Sequence, residues 1–129
     1  NKKLLLHGGG KSIRSFIHMR DVSSALFKVI THGKIGETYH ISTKEHVSIK
    51  NLVSKMCQLS DIKFNDFVTV EKDRIGKDQA YLLDSSKIRK KLNWTDRVSL
   101  DTGLNETFDW INDNFAILRK LSYEYRHKK

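Results

Sequence analysis

The stretch LLLHGGGKSIRSFIHMRDV, residues 4–22, sets three consecutive glycines between two apolar runs and then leads into a helical pattern. Gly10-Lys11-Ser12 has the ending of a phosphate-binding P-loop. That loop requires a glycine five positions before Gly10, where this chain has Leu5, and it must open directly into a helix. The residues after Ser12 are β-branched and aromatic, which predicts a strand instead. The stretch therefore predicts strand, glycine turn and strand, and the P-loop interpretation fails.

Outward from this turn, the chain alternates short strands with amphipathic helices. Strands are predicted at residues 4–7, 13–19, 36–42, 67–70 and 80–83. Helices are predicted after Asp21, Ser48, Asp84 and Ser99, because each of these side chains can accept a hydrogen bond at a helix amino end. The last helix runs to about residue 114 and extends into a helical tail over about 99–122. This alternation favours the α/β class.

Length and composition predict one domain, residues 1–129, with 38% hydrophobic and 30% charged residues. No run approaches the roughly 20 apolar residues of a membrane helix, so no membrane segment and no membrane partner are predicted. The chain begins at Asn1, without methionine and directly before an apolar run, and we expect it to be a piece of a longer protein.

Cys57 is the single cysteine, so no internal disulfide is expected and a cytoplasmic location is predicted. The residue falls on the apolar stripe of the helix after Ser48, together with Leu52, Val53 and Met56. This position favours a buried structural thiol over a nucleophile.

The formal net charge of +9 raises the possibility of a nucleic-acid partner. The lysines and arginines are spread along the chain without interleaved aromatic residues, and no nucleic-acid-binding motif accompanies them. A solvated basic surface or a site for an anionic small molecule is favoured, and a basic nucleic-acid-binding module remains the alternative. The histidines lack the spacing of a zinc site, so no metal is predicted, and no catalytic centre is visible.

Three stretches taken in order carry a family resemblance: LLLHGGGKSIRSFIHMRDV, GETYHIST and DRIGKDQAYLLDSSKIRKKLNW. Together, over roughly residues 3–115, the chain resembles the C-terminal part of extended short-chain dehydrogenases that act on nucleotide sugars. It is most similar to the dTDP-glucose 4,6-dehydratase family, through motifs of the form Gly-x-Gly-x-x-hydrophobic-Arg, Gly-Glu-x-Tyr and Asp-Arg-x-Gly-x-Asp.

The resemblance implies an α/β substrate-binding part of an NAD-dependent lyase whose Rossmann domain precedes it and is missing from this chain. The implied reaction oxidises C4 of the sugar with bound NAD, removes water across C5–C6 and returns the hydride to C6. NAD and the catalytic residues would belong to the preceding domain, so the chain alone is expected to be inactive. A nucleotide-sugar epimerase and a truncated relative that has lost catalysis are the alternatives within the family.

The resemblance also implies the substrate-binding residues of a nucleoside-diphosphate sugar. Arg14 matches an arginine that contacts the pyrophosphate, and a planar guanidinium suits that group. His7 stands in place of a tyrosine that lies against the base, and His40 in place of an asparagine. Arg74 matches a second phosphate-binding arginine, Lys77 replaces a histidine near the phosphates, and Asp78 would hold a ribose hydroxyl or orient Arg74.

If the Rossmann half is absent, the predicted strand at 36–42 lacks parallel neighbours and apolar surface is left uncovered. Exposed strand edges and apolar patches favour self-association. We therefore expect a homo-oligomer.

Overall fold

The structure of the protein is a computed structural model that describes residues 3–73 and 76–122. In chain order the elements are β1 (Leu4–His7), a 3-10 turn (Gly8–Gly10), β2 (Ile13–Arg14), α1 (Met19–His32), β3 (Val47–Ser48), α2 (Ile49–Leu59), α3 (Phe64–Phe67), β4 (Val68–Glu71), β5 (Ala80–Tyr81), α4 (Ser86–Leu92) and α5 (Leu100–Leu118). Strands and helices alternate as the sequence predicts, and the α/β class is confirmed. Among the described helices, none has the length and apolarity that a bilayer crossing requires.

The described strands form two small sheets, and two segments of the chain connect one sheet to the other. β1 pairs with β4 in parallel, with Leu4 opposite Val68 and His7 opposite Glu71. β2 lies between antiparallel β3 and parallel β5. β1 is followed by β2 through the glycine turn, and β4 of the first sheet is followed in the chain by β5 of the second.

The buried apolar residues in the described part of the chain form two clusters. Under the first sheet, Leu6 and Val68 pack with Val53 and Cys57 of α2. Cys57 is buried there, which confirms the structural assignment of its thiol. The second cluster is formed by Ala25, Ile88, Leu92 and Trp94, so that it joins α1 to α4.

The predicted strand over 13–19 is too long, and Asp21 is not the cap of α1. The strand ends at Arg14, and α1 begins at Met19 with His18 as its N-cap. His18 Nδ1 accepts a hydrogen bond from the Arg20 N–H at 3.2 Å. Asp21 is buried and its carboxylate accepts from the Val98 N–H at 2.9 Å, so a distant loop uses the oxygen that the prediction assigned to capping.

The strand predicted at 36–42 is wrong for this chain. All of these residues are described, and they form a turn followed by irregular backbone. Tyr39 and Ile41 pack against the second apolar cluster, which is the alternation that suggested a strand. A strand also requires a partner for its backbone groups, and none of the described strands pairs with this segment.

The remaining boundaries differ by small amounts. Ser48 and Ser99 cap α2 and α5 as predicted, through bonds at 3.1 Å from the Asn51 and Thr102 N–H groups. The N-cap of α4 is Ser85, yet Asp84 Oδ1 accepts from the Ser86 N–H at 2.8 Å. The strand predicted at 67–70 begins one residue late, because 67 ends α3, and the one at 80–83 contains only two paired residues.

Candidate functional site

The glycine turn is closely packed between two other parts of the chain. Gly8, Gly9 and Gly10 all have positive φ, between +59° and +67°, a region that glycine enters without steric cost. A Cβ on Gly8 would lie 2.5 Å from the carboxyl carbon of Asp73, and one on Gly10 would lie 2.7 Å from the Lys50 backbone nitrogen. The turn therefore touches both the start of α2 and the loop that follows β4.

Arg14 lies where this turn and that loop reach the second sheet. Its Nη2 donates to the Asp78 carbonyl oxygen at 3.0 Å, and its Nη1 donates to the Ile13 carbonyl oxygen at 2.7 Å. The Ile13 N–H in turn donates to the Gln79 carbonyl oxygen at 2.7 Å. A guanidinium carries five N–H donors, and the two bonds hold its plane while leaving capacity for an anion.

His7 lies at the other end of the turn, at the carboxyl end of β1. Its Nδ1 is 3.5 Å from Glu71 Oε2 at the carboxyl end of β4. The two side chains are 25% and 43% exposed, so both are accessible from solvent. Nothing in the alternating strand pattern distinguished Glu71 from a solvated surface carboxylate, and the sequence interpretation did not include it.

The other predicted residues are arranged as follows. Asp78 contacts Arg14 through its carbonyl oxygen rather than through its carboxylate. Lys77, its neighbour, is exposed on the same loop. Arg74 lies outside the described residues.

His40 belongs to a different part of the surface. It is exposed and lies close enough to Asp84 to help lower the pKa of that carboxyl, although hydrogen bonds from Ser86 are the larger cause. Asp84 lines a cleft of about 670 Å³. No contact joins His40 to His7 or Arg14 among the described residues, so the structure does not bring all of the predicted residues together.

The cleft is connected to the Arg14 strand by one side-chain contact. His46 lines the cleft, and its Nδ1 is 2.9 Å from the hydroxyl of Ser15, the residue after Arg14. Lys44, Arg89 and Lys90 also line it, which makes its wall basic.

Arg89 lines this cleft and makes several contacts with its surroundings. In the sequence it lies within a run of basic residues, and nothing there distinguishes it from its neighbours. It donates to the Ser42 carbonyl oxygen at 2.9 Å, pairs with Asp96 at 2.6 Å and lies over the Trp94 ring at 5.0 Å. Burial raises the pKa of Asp96, but hydrogen bonds from Thr43 and Arg89 outweigh it and the pKa is lowered. The side chain of Arg89 therefore stabilises the fold around the cleft.

A comparison with protein families places most of this chain in one family. The GDP-mannose 4,6 dehydratase family matches residues 1–107, and the chain belongs to it. The resemblance that the three sequence motifs indicated is thereby confirmed.

Individual relatives agree with this assignment. A dTDP-glucose 4,6-dehydratase of Neisseria gonorrhoeae is 32% identical over 123 residues, which cover 88% of this chain and 36% of that protein. The crystal structure of DesIV, a dTDP-glucose 4,6-dehydratase from Streptomyces venezuelae with NAD and TYD bound, matches with a TM-score of 0.83 at 29% identity, over 89% of this chain and 35% of that one.

A UDP-glucuronic acid 4-epimerase from Bacillus cereus, in complex with UDP-glucuronic acid and NAD, matches with a TM-score of 0.77 at 27% identity, over 87% of this chain and 36% of that one. The chain thus spans about a third of the length of these relatives.

Proposed function

We propose that this chain is the nucleotide-sugar-binding part of an NAD-dependent nucleotide-sugar 4,6-dehydratase, with residues 1–129 forming one substrate-binding domain. The observation that carries the proposal is the guanidinium of Arg14, held by the Asp78 carbonyl oxygen where the glycine turn and the 72–79 loop meet. A planar cation fixed beside a tight turn suits the diphosphate of such a substrate.

The remaining residues take roles around that diphosphate. Lys77 and Arg74 add positive charge from the same loop, and Asp78 contributes its carbonyl oxygen to the position of Arg14. His7 stacks on the base at the carboxyl end of β1. His40 stands beside Asp84 at the basic cleft, where it contacts the substrate away from the diphosphate.

NAD binds outside this chain in the proposal. The dinucleotide fingerprint needs a glycine-rich turn that opens a helix, whereas the Gly8–Gly10 turn leads into β2. The residues present therefore do not fit this cofactor. Catalysis by the whole enzyme depends on groups beyond these 129 residues, and the chain alone binds substrate without converting it.

The proposal extends to a homo-oligomeric protein in the cytoplasm. Large apolar side chains on α1 and α5 are exposed, which supports self-association. A single, buried thiol is consistent with a reducing compartment.

A nucleotide-sugar 4-epimerase is the second candidate, supported by the likeness to the Bacillus cereus enzyme. The two activities leave different products. A dehydratase removes one water from the sugar, whereas an epimerase returns an isomer of unchanged mass, so mass spectrometry of products from the whole enzyme separates them.

The binding proposal is tested by titrating the protein with dTDP, UDP and GDP, and with a short oligonucleotide, in wild-type and Arg14→Ala forms. We expect at least one nucleoside diphosphate to bind and Arg14→Ala to weaken it roughly tenfold or more, since charge-assisted bidentate contacts are lost. Arg119→Ala, at the end of α5, is the matched control and should bind like wild type. Tight, salt-sensitive oligonucleotide binding without any nucleoside-diphosphate binding would refute the proposal and favour the nucleic-acid module.

A further inference from the structure

The amino end of α1 is capped by a histidine, a residue type that changes charge near neutral pH. His18 is the N-cap, and its Nδ1 accepts a hydrogen bond from the Arg20 N–H at 3.2 Å. The usual caps are asparagine, aspartate and serine, whose side-chain oxygens accept such a bond at any pH near neutrality. An imidazole nitrogen accepts only while it carries no proton. The cap of α1 therefore depends on the protonation state of this ring.

The second ring nitrogen of His18 faces a carboxylate on α5. Nε2 lies 3.4 Å from Glu106 Oε2, and the two side chains are 21% and 41% exposed. Because Nδ1 accepts from the backbone, the proton of the neutral ring must be on Nε2, where the negative charge of Glu106 stabilises it. The neutral ring thus connects the first turn of α1 to α5.

Glu106 is ionised throughout the range in which histidine titrates. Arg20 pairs with the same carboxylate oxygen, and its hydrogen bond is the main reason why the pKa of Glu106 is lowered from its usual value of 4.5. Asp21, the acidic residue in the first turn of α1, is buried, and its carboxylate accepts from the Val98 N–H. The residues that share a small cavity with His18, before α1 and around the start of α5, are uncharged. The anion beside the ring is therefore Glu106.

α5 leaves space for the imidazole through a glycine in its first turn. A Cβ on Gly103 would lie 3.2 Å from His18 Cδ2. Glycine is unfavourable in a helix relative to alanine, so helix propensity does not explain its presence there. The cavity beside the ring measures about 130 Å³ and is lined by Gly103 and Val98 among others. The ring can therefore turn away from the backbone of α1 without displacing α5.

We propose that His18 is a pH-sensitive cap, which closes the amino end of α1 when it is neutral and opens it when it is protonated. A proton taken up from solvent on Nδ1 faces the Arg20 N–H donor to donor, so the hydrogen bond is lost. A cation is also unfavourable at the positive end of a helix. The imidazolium is instead attracted by Glu106, and the Arg20 N–H loses its acceptor.

The opening is confined to the first turn of α1. The Asp21 and Val22 N–H groups both donate to the His18 carbonyl oxygen, at 3.0 and 3.1 Å, and these backbone bonds do not involve the ring. In the unfolding free energy, the loss of the cap and the gain of an exposed ion pair oppose each other. The effect of pH is therefore expected in the local protection of the Arg20 N–H more than in global stability.

The test follows hydrogen exchange of the Arg20 N–H by NMR between about pH 8 and pH 5, the range in which histidine changes charge. Rates are expressed as protection factors, which removes the intrinsic pH dependence of exchange. Protection in wild type should fall about fivefold on acidification, the factor to which a typical N-cap hydrogen bond corresponds. In His18→Asn, whose amide oxygen caps at every pH, it should stay constant. His32→Asn, at the other end of α1, is the matched control and should respond like wild type.

The ring itself provides a second measurement that requires no variant. Nitrogen-15 spectra of wild type should place the proton of the neutral His18 ring on Nε2. A neutral ring protonated on Nδ1 would overturn the proposal, and so would wild-type protection of the Arg20 N–H that does not change with pH. A pH response that persists in His18→Asn, with a wild-type circular dichroism spectrum, would assign the response to another group and would also overturn it.

Discussion

At the residue scale, the glycine turn shows that three identical residues in one conformation meet different surroundings. Gly9 and Gly10 differ in φ by only a few degrees, at +63° and +67°. A Cβ on Gly9 would have no neighbour within 4 Å, whereas one on Gly10 would lie 2.7 Å from the Lys50 nitrogen and 2.9 Å from Leu6 Cδ1. Gly10 is thus required both because a larger side chain would clash with its neighbours and because its backbone has positive φ.

Substitution of these two glycines separates the two requirements. Gly9→Ala should cost about 1 kcal/mol of unfolding free energy, because only the left-handed backbone is penalised. Gly10→Ala should cost about 2–3 kcal/mol, because the first turn of α2 or the side chain of Leu6 must also shift. Urea unfolding followed by circular dichroism measures both, and equal losses would contradict the packing argument.

At the element scale, the side chain of Arg89 links α4 to two other segments of the chain. Arg89 leaves the helix and bonds to the Ser42 carbonyl oxygen and to Asp96, while it stacks on Trp94. The irregular segment after Gly36 and the loop after α4 are therefore fixed to the same helix. A similar connection joins α2 to α5, where Lys55 pairs with Asp101.

Removal of the Arg89 charge should destabilise the protein in a pH-dependent way. Arg89→Met should lower the unfolding free energy by about 2 kcal/mol near neutral pH, because hydrogen bonds to a charged, partly buried group are lost. The exposed neighbour Lys90 provides the control. Lys90→Met should change the unfolding free energy by less than about 0.5 kcal/mol.

The pKa of Asp96 determines the direction of the pH effect. It is lowered in the folded protein from its usual value of 3.8. The stabilisation is therefore fully present above pH 3.8 and is lost as the pH falls below it, through the folded pKa. In urea titrations below that pH, the difference in unfolding free energy between wild type and Arg89→Met should become smaller. A difference that grows on acidification would contradict the stabilising pair between Arg89 and ionised Asp96.

At the scale of the whole molecule, apolar exposure and positive charge oppose each other. Phe27 and Ile30 of α1 are 67% and 81% exposed, and the second half of α5 exposes Trp110, Phe115 and Ile117. Such surfaces favour association, whereas a net charge of +9 keeps copies apart.

This balance predicts association that increases with salt. Raising the ionic strength shortens the range of charge repulsion to about 8 Å at 0.15 M and less beyond it. Light scattering should therefore give a larger average mass at high salt than at low salt. The double variant Phe27→Ser/Ile30→Ser should weaken the effect, and Ser23→Ala/Ser24→Ala on the same helix should not. A clean monomer at all salt concentrations would contradict the homo-oligomer.

The sequence by itself determined the elements whose information is local. The apolar stripe of α2 with buried Cys57, the caps Ser48 and Ser99, and the strand that replaces a P-loop helix after Ser12 all follow from residues within a few positions of each other. The family followed from motif order, which is also a property of the linear chain, and the role proposed for Arg14 rests on the same order.

Only the tertiary structure decided the contacts between distant segments. The strand predicted at 36–42 required a partner strand. The N-cap of α1 is His18, and the carboxylate of Asp21 accepts a hydrogen bond from Val98, which is distant along the chain. Arg89 and Glu71 looked like ordinary surface charges until their partners, Ser42 and His7, were located. Hydrogen bonds and ion pairs act over a few ångströms in space, and separation along the chain does not report that distance.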